Sequence, residues 1–468
     1  FYARDQWQAT PDLTLTLGVR AEYYPVVTRK NSGVALYDVT TNTVRVGGVG
    51  FVPRDVGVLE RLHFAPRLGA AYRIGDTWVV RGGFGVSTDP FSLARLFRTN
   101  YPAIVAMDIV QANSFGFVGR TEDGIPPVPI PDLGNGIIAI PGNVTGSTVE
   151  EEFNRGYTQS YNVTVQRELN WGLVGQAGYV GSRTVRPLLT MELNYALPGG
   201  GNTGRILNQQ FGRTASTTQQ LPYEGGTGRY DSLQATLTRR FSGGFQLQTS
   251  YTFSKSISWN TSWMDPSQFH RNRALSSFDR PHNLQIGWVA ELPFGEGKPF
   301  ATEGLARLLF GGWQLNGIFS KYSGTPFTVS ASGTSLNAPG NAQTADQVLD
   351  EVKILGGTGP GQSYFDPLAF RSVTDVRYGN TGLNSLRGPG FTNLDLGLFR
   401  EFRVRTLQIQ FRAEAFNATN TPHFNNPGAN VSSMRLNADG TVNSLGGYTE
   451  ITSARPDERQ VRLGIRIA

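Results

Sequence analysis

Between residues 245 and 254, Phe245, Leu247, Tyr251 and Phe253 alternate with Gln246, Gln248, Ser250, Thr252 and Ser254. Successive side chains of a strand point to opposite faces, so this segment predicts a strand with one apolar and one polar face. The alternation recurs along the chain and predicts about thirteen strands. They fall at residues 1–9 and 13–24, 62–74 and 77–86, 157–169 and 173–183, and 230–241 and 245–257. Further strands follow at 283–292 and 313–322, 394–402 and 407–416, and a last one at 460–467. Short turns at 10–12, 75–76, 170–172, 242–244 and 403–405 close five of the pairs, while a longer connection with one short helix at 305–309 joins 292 to 313. Long loops separate the pairs, among them 26–60 and 87–155, the latter holding the run Ile125, Pro126, Pro127, Val128 and Pro129.

Minute turns on one side and very long loops on the other are the pattern of an all-β antiparallel transmembrane β-barrel, with the turns in the periplasm and the loops outside. Leu13, Leu15, Leu17 and Val19, then Phe64, Leu68 and Tyr72, then Trp78, Val80 and Phe84, form its lipid-facing set. No apolar run reaches the roughly 18 residues a membrane helix requires. A closed bacterial barrel begins and ends in the periplasm with an even strand number, so an odd count predicts further strands upstream. Without them, the edge at Phe1 would expose unpaired backbone groups to lipid. Roughly nine more strands would give a barrel of about twenty-two, wide enough to need a plug.

Composition alters this picture little. Mean hydropathy of −0.26 is ordinary, as expected where lipid-facing and water-facing residues alternate. The absence of cysteine excludes disulfides, thiolate metal sites and cysteine nucleophiles. A net charge of +6 without a Lys/Arg block gives no nucleic-acid footprint. The start at Phe1, Tyr2 and Ala3 lacks the features of a signal peptide, so the chain is expected to begin within a longer protein.

Little in the sequence is catalytic. His63, His270, His282 and His423 show no metal-binding spacing, and His282 reads as a ring anchor at a strand start. Residues 356–361 are glycine-rich without the lysine of a phosphate cradle and read as a flexible loop, and no nucleophile elbow or zinc-protease motif occurs. The expectation is therefore no enzyme, no cofactor and no metal. Arg20, Glu22, Arg67, Arg73, Arg81, Arg412, Glu414, Arg462 and Arg466 fall on the polar face, where they would dock a plug, attract anionic solutes or pair as a structural ladder. Trp7, Tyr23, Trp78, Trp171 and Trp313 lie near strand ends as candidate interfacial anchors. Trp259, Trp263, Phe269 and His270 would offer a stacking surface for a ligand or hold the 258–280 loop together.

Several motifs together resemble TonB-dependent receptors. Phe1 to Trp7 followed by Leu13 to Arg20 resembles a recurrent strand pair of that superfamily, as do Ala65 to Gly69 with Val80 to Gly85. Tyr179 to Arg183, Tyr251 to Ser256, Phe278 to His282, Leu292 to Gly295, Gly311 to Leu315, Ser323 to Phe327 and Phe411 to Asn417 resemble its Oar-like branch in order. The resemblance implies the C-terminal portion of one transporter barrel over residues 1–468, with the plug and the N-terminal regulatory-like domain lying outside it. It implies a cell outer-membrane location and energy-coupled import of a bulky nutrient (oligosaccharide, peptide or metal chelate). The implied partners are membrane lipid, the barrel's own plug, a TonB-type energy-coupling protein and the barrel-assembly machinery. The family barrel tends to end in an aromatic residue, whereas this chain ends at Ile467 and Ala468. A second reading keeps the barrel as an anchor for adhesion, assembly or protein export. A third, a secreted sandwich or propeller, requires strands of about five or six residues and no alternation of loop lengths.

Overall fold

The computed structural model describes residues 1–467 apart from 27, 29, 31–33, 99, 112–114, 125, 126, 128, 129, 405 and 406. Ile125, Pro126, Val128 and Pro129 of the proline run, Arg405 of the turn expected at 403–405, and Ala468 lie outside the described residues.

Thirteen strands form one antiparallel sheet in chain order. They are β1 (Tyr2–Thr10), β2 (Leu13–Glu22), β3 (His63–Ile74), β4 (Trp78–Thr88), β5 (Tyr157–Glu168), β6 (Leu173–Val185) and β7 (Thr227–Ser242). The series continues with β8 (Phe245–Trp259), β9 (His282–Glu291), β10 (Trp313–Tyr322), β11 (Phe391–Val404), β12 (Leu407–Phe416) and β13 (Gln460–Ile467). Every strand expected from the alternation is present, its ends displaced by three residues or fewer, and the short helix is Gly304–Phe310. Strand lengths of 8 to 16 residues bracket or exceed the roughly 9–11 that cross a bilayer. A two-residue turn joins β7 to β8, where Gly243 and Gly244 adopt φ of +60° and +81°, the left-handed pair of a type I′ hairpin.

Register sorts the side chains into two faces, because directly opposed residues share one. Leu17 opposes Leu68, Leu68 opposes Phe84, and Phe84 opposes Tyr161. Farther along, Val163, Tyr179, Leu233 and Phe253 oppose one another in turn across β5 to β8. Leu17, Leu68, Val163, Leu233 and Phe253 are each about half exposed. An apolar face of this extent marks contact with lipid or another protein. The opposite face of β7 and β8 carries Gln234, Thr236, Thr238, Gln246, Gln248, Ser250 and Thr252.

The buried core lies elsewhere, at the long-loop end. Sequence patterning assigns the segments between strand pairs to loops; the structure folds them into a crown with three apolar clusters. The loop before β3 and the loop before β5 share the strands Ala35–Asp38, Thr43–Val46 and Ile137–Ala139. Gly146–Val149 then pairs in parallel with Thr217–Pro222, which pairs with Leu188–Glu192, so the loop before β7 joins them. Asn341 ties three loops at once: its Oδ1 accepts from the amides of Met264 and Asp265 at 2.7 and 3.0 Å, and its Nδ2 donates to the Ala196 carbonyl at 2.9 Å. Residues 356–361 correct the expectation of a flexible loop. The Gly357 and Gly359 amides donate to the carbonyls of Ser363 and Ile451 at 3.1 Å each, docking this turn on the crown.

Candidate functional site

The polar face of the sheet and the crown above it form the candidate site. Register places Arg20, Glu22, Arg67, Arg73 and Arg81 on the face opposite the apolar one, near one end of the sheet. Arg412, Glu414, Arg462 and Arg466 lie on the same face at the other end, with Glu414 opposite Arg462 and Gln410 opposite Arg466. The strands between them present mainly amides and hydroxyls there, including Asn162, Gln166, Gln176, Gln234, Gln248, Gln285 and Asn316.

The arginines are not one cluster. Arg4, Gly18, Arg67 and Gly85 form a single cross-strand row in which glycines alternate with arginines. A Cβ added at Gly85 would stand 3.7 Å from the Arg67 Cγ, in ordinary van der Waals contact, so the arginine stem lies along the wall directly over this glycine. Arg4 shares the alternation of Gln6 and Gln8 and was legible by the same rule, although only its neighbours Arg20 and Arg67 stand out in sequence. Arg81 donates to Gln166 at 2.5 Å. Arg73 grips Asp12 in the adjoining turn through Nε and Nη2 at 3.0 and 2.9 Å. Arg20 pairs with Glu22, which also accepts from the Tyr24 hydroxyl at 3.0 Å. Arg412 lies 5.3 Å from the Phe399 ring centre and Arg462 4.9 Å from that of Phe416. Most of these side chains thus have a neighbour on the wall while keeping one side open.

The crown divides the four loop candidates. Trp263 is 0% exposed; its indole donates to the Ala342 carbonyl at 2.9 Å, and the Arg271 guanidinium covers its ring at 4.4 Å. It leaves no free ring face and holds the loop together. Trp259 and Phe269 meet at 5.7 Å and both meet Tyr223, at 5.1 and 5.2 Å, a partner from a different loop that sequence proximity could not reveal. His270 stands exposed on the turn Phe269–Asn272. The strand anchor His282 accepts or donates at Nδ1 to the Tyr251 hydroxyl at 2.8 Å and packs against Phe253.

Two buried cations organise the crown. Arg155 makes a two-point ion pair with Glu60, donating at 2.5 and 3.1 Å, while its Nη1 reaches the Phe91 carbonyl at 2.5 Å. Burial pushes the Glu60 carboxyl above its ordinary range despite that guanidinium. Arg213 has no carboxylate partner among the described residues; it donates to the Val144 carbonyl at 2.7 Å and to the Thr217 hydroxyl at 3.2 Å. Burial lowers its proton affinity. Among the described residues no group of three or more His, Asp or Glu side chains is placed to hold a metal ion.

Comparison with known proteins places this architecture. No curated protein matches the sequence. Among solved structures, the ferric-catecholate import receptor Fiu from E. coli K12 aligns over 99% of this chain and 43% of its own, at 13% identity and TM-score 0.43. The ferripyoverdine receptor of the Pseudomonas aeruginosa outer membrane aligns over 99% and 37%, at 11% identity and TM-score 0.44. The siderophore receptor PiuA from Acinetobacter baumannii aligns over 99% and 42%, at 8% identity and TM-score 0.44. The chain therefore spans about two-fifths of the length of these structures. The family described as outer membrane beta barrel domain matches residues 1–462. With its lipid-ready apolar face, polar reverse face and alternating turn and loop lengths, the chain belongs to that family, and its place is the outer membrane.

Proposed function

We propose that this chain is the wall and outer crown of an energy-coupled importer for a bulky nutrient. The observation that carries the reading is the division of the polar face: amides and hydroxyls at its centre, open-sided arginines at both flanks. Such a wall holds a folded plug by many exchangeable hydrogen bonds and releases it without breaking an apolar core, since each net hydrogen bond contributes only about 1 kcal/mol. The crown would gather solute above the lumen, with His270 and the edge of the Trp259–Phe269 pair among its contacts. A TonB-type protein would move the plug. On this reading residues 1–468 form the C-terminal part of one barrel of about twenty-two strands, of the Oar-like branch, with the plug and roughly nine strands supplied by sequence outside them. The chemistry is binding and passage, with no covalent step.

Uptake by the producing cells tests this. Labelled oligosaccharide, peptide and ferric chelate are offered to cells with the intact gene, with the gene deleted, and with the inner-membrane proton gradient collapsed. Import of one class that requires both gene and gradient is expected. Uptake of all three classes independent of both, together with loss of cell attachment or of a surface protein on deletion, would overturn import in favour of an adhesion or export anchor.

A further inference from the structure

The apolar face carries cations at both of its borders, and the two borders differ. At the periplasmic border three outward arginines among the described residues are laid over aromatic rings: Arg167 over Trp78 at 4.6 Å, Arg239 over Phe245 at 5.5 Å and Arg400 over Phe402 at 4.3 Å. These side chains are engaged within the protein, as in an interfacial girdle.

The extracellular border is different. Register puts Arg183 opposite Arg229, Lys255 opposite Asp231, and Arg273 opposite Trp259, all on the face that carries Leu233 and Phe253 one step nearer the membrane centre. All four cations are exposed. Arg229 pairs with Asp231, which also accepts from the Tyr179 hydroxyl. Among the described residues Arg183, Lys255 and Arg273 have no carboxylate partner, so four cations stand against one carboxylate, a surplus of three. Two adjoining grooves of about 250 and 410 Å³ run between them. Tyr161 and Tyr179, stacked at 6.0 Å, lie beside these grooves. The next outward cation round this border, Lys321, is two strands away from Lys255.

We infer that this border is a binding site for a phosphate-bearing lipid headgroup of the outer leaflet. The patch faces the bilayer, not the lumen, and stands where apolar side chains give way to the crown, at headgroup depth. An unpaired surplus of positive charge beside lipid attracts anionic headgroups, and guanidinium groups bind phosphate oxygens in a forked geometry. Concentration on β6, β7, β8 and the short strand Arg273–Leu275 makes it one site and not a diffuse ring.

The test uses the complete protein extracted from outer membranes in dodecyl maltoside and freed of lipid. Binding is measured to micelles carrying diphosphorylated lipid A, to micelles carrying the same lipid stripped of phosphate, and to inorganic phosphate alone. Tight binding to the first is expected, with a loss of about a hundredfold on removing the phosphates and a similar loss in the triple variant Arg183→Gln, Lys255→Gln, Arg273→Gln. Arg167→Gln with Arg239→Gln should leave it unchanged. Retention of the heat-dependent gel shift checks that the variants fold; if the triple variant does not, Lys255→Gln against Lys255→Arg decides, only the latter binding as the parent does. Equal binding to phosphate-free lipid, or no loss in the cation variants, would overturn the site. Inorganic phosphate binding as tightly as the lipid would overturn the assignment to a headgroup.

Discussion

The guanidinium of Arg213 lies 4.9 Å from the ring centre of Tyr37, with both side chains at most 1% exposed and both outside the membrane-spanning sheet. Tyr37 belongs to the loop between β2 and β3, Arg213 to the loop between β6 and β7, and the carbonyl of Val144 that Arg213 also binds to the loop between. One cation thus joins three loops that are far apart in sequence. Replacing it by methionine keeps the bulk, discards the ring contact and orphans the carbonyl. Arg213→Met is expected to loosen the crown by about 2–3 kcal/mol. Faster proteolysis of the loops with an unchanged heat-dependent gel shift of the barrel would show it.

Trp263 gives a second test of the crown as a folded unit. It is the largest fully buried side chain among the described residues, and removing such a ring from a packed interior costs about 3–5 kcal/mol. Trp263→Ala should therefore expose the loops before β9 and before β11 to hydrogen exchange together, because Asn341 and Ala342 couple them. Exchange confined to the 260–281 segment would contradict that coupling.

Acid should open one part of the crown selectively. The Arg377 guanidinium beside Asp346, bonded at 2.7 and 3.0 Å, holds this carboxyl below its ordinary value of 3.8. The unfolded carboxylate takes up its proton first as pH falls, so the pair's contribution is full above about pH 4 and declines as pH drops through the lowered folded value. The amide of Asn380, which donates to Asp346 at 3.2 Å, should exchange progressively faster over that acid range, and Asp346→Asn should flatten the dependence. A local stability that instead rose on acidification would contradict this sign.

The two faces of the sheet predict opposite tolerance. Leu233 lies on the apolar face and Gln234, its neighbour, on the polar one. Leu233→Arg should cost about 2–4 kcal/mol of barrel stability in bilayers, and Gln234→Arg close to nothing. Denaturant titration of the refolded complete protein measures both.

The wall was readable in sequence because lipid on one side and water on the other impose a strict period of two over many residues. Gln246 through Ser254 declares its two faces without reference to any other strand. The crown was not readable, since its elements are two to six residues long and pair across gaps such as that between Gly146–Val149 and Thr217–Pro222. A segment so short shows no period, and a charged residue such as Arg213 in a loop reads as solvated when it is buried. The same limit affected the loop aromatics: Trp259, Trp263, Phe269 and His270 are neighbours in sequence, yet Trp263 serves the crown's interior while Trp259 joins Tyr223. Alternation groups the polar-face arginines on one face, but their spacing by glycines in the row from Arg4 to Gly85 depends on register, which only the paired strands supply.

The most direct test of the central claim uses the absence of cysteine from the chain. Single substitutions along β8 in the complete protein, Gln246→Cys through Phe253→Cys, are probed in intact outer membranes with a bulky water-soluble maleimide and with a lipid-confined quencher of a thiol-linked fluorophore. The barrel account predicts strict alternation: positions 246, 248, 250 and 252 react with the maleimide, and 247, 249, 251 and 253 are quenched by the lipid probe. Uniform reactivity along the strand, without quenching at any position, would contradict it.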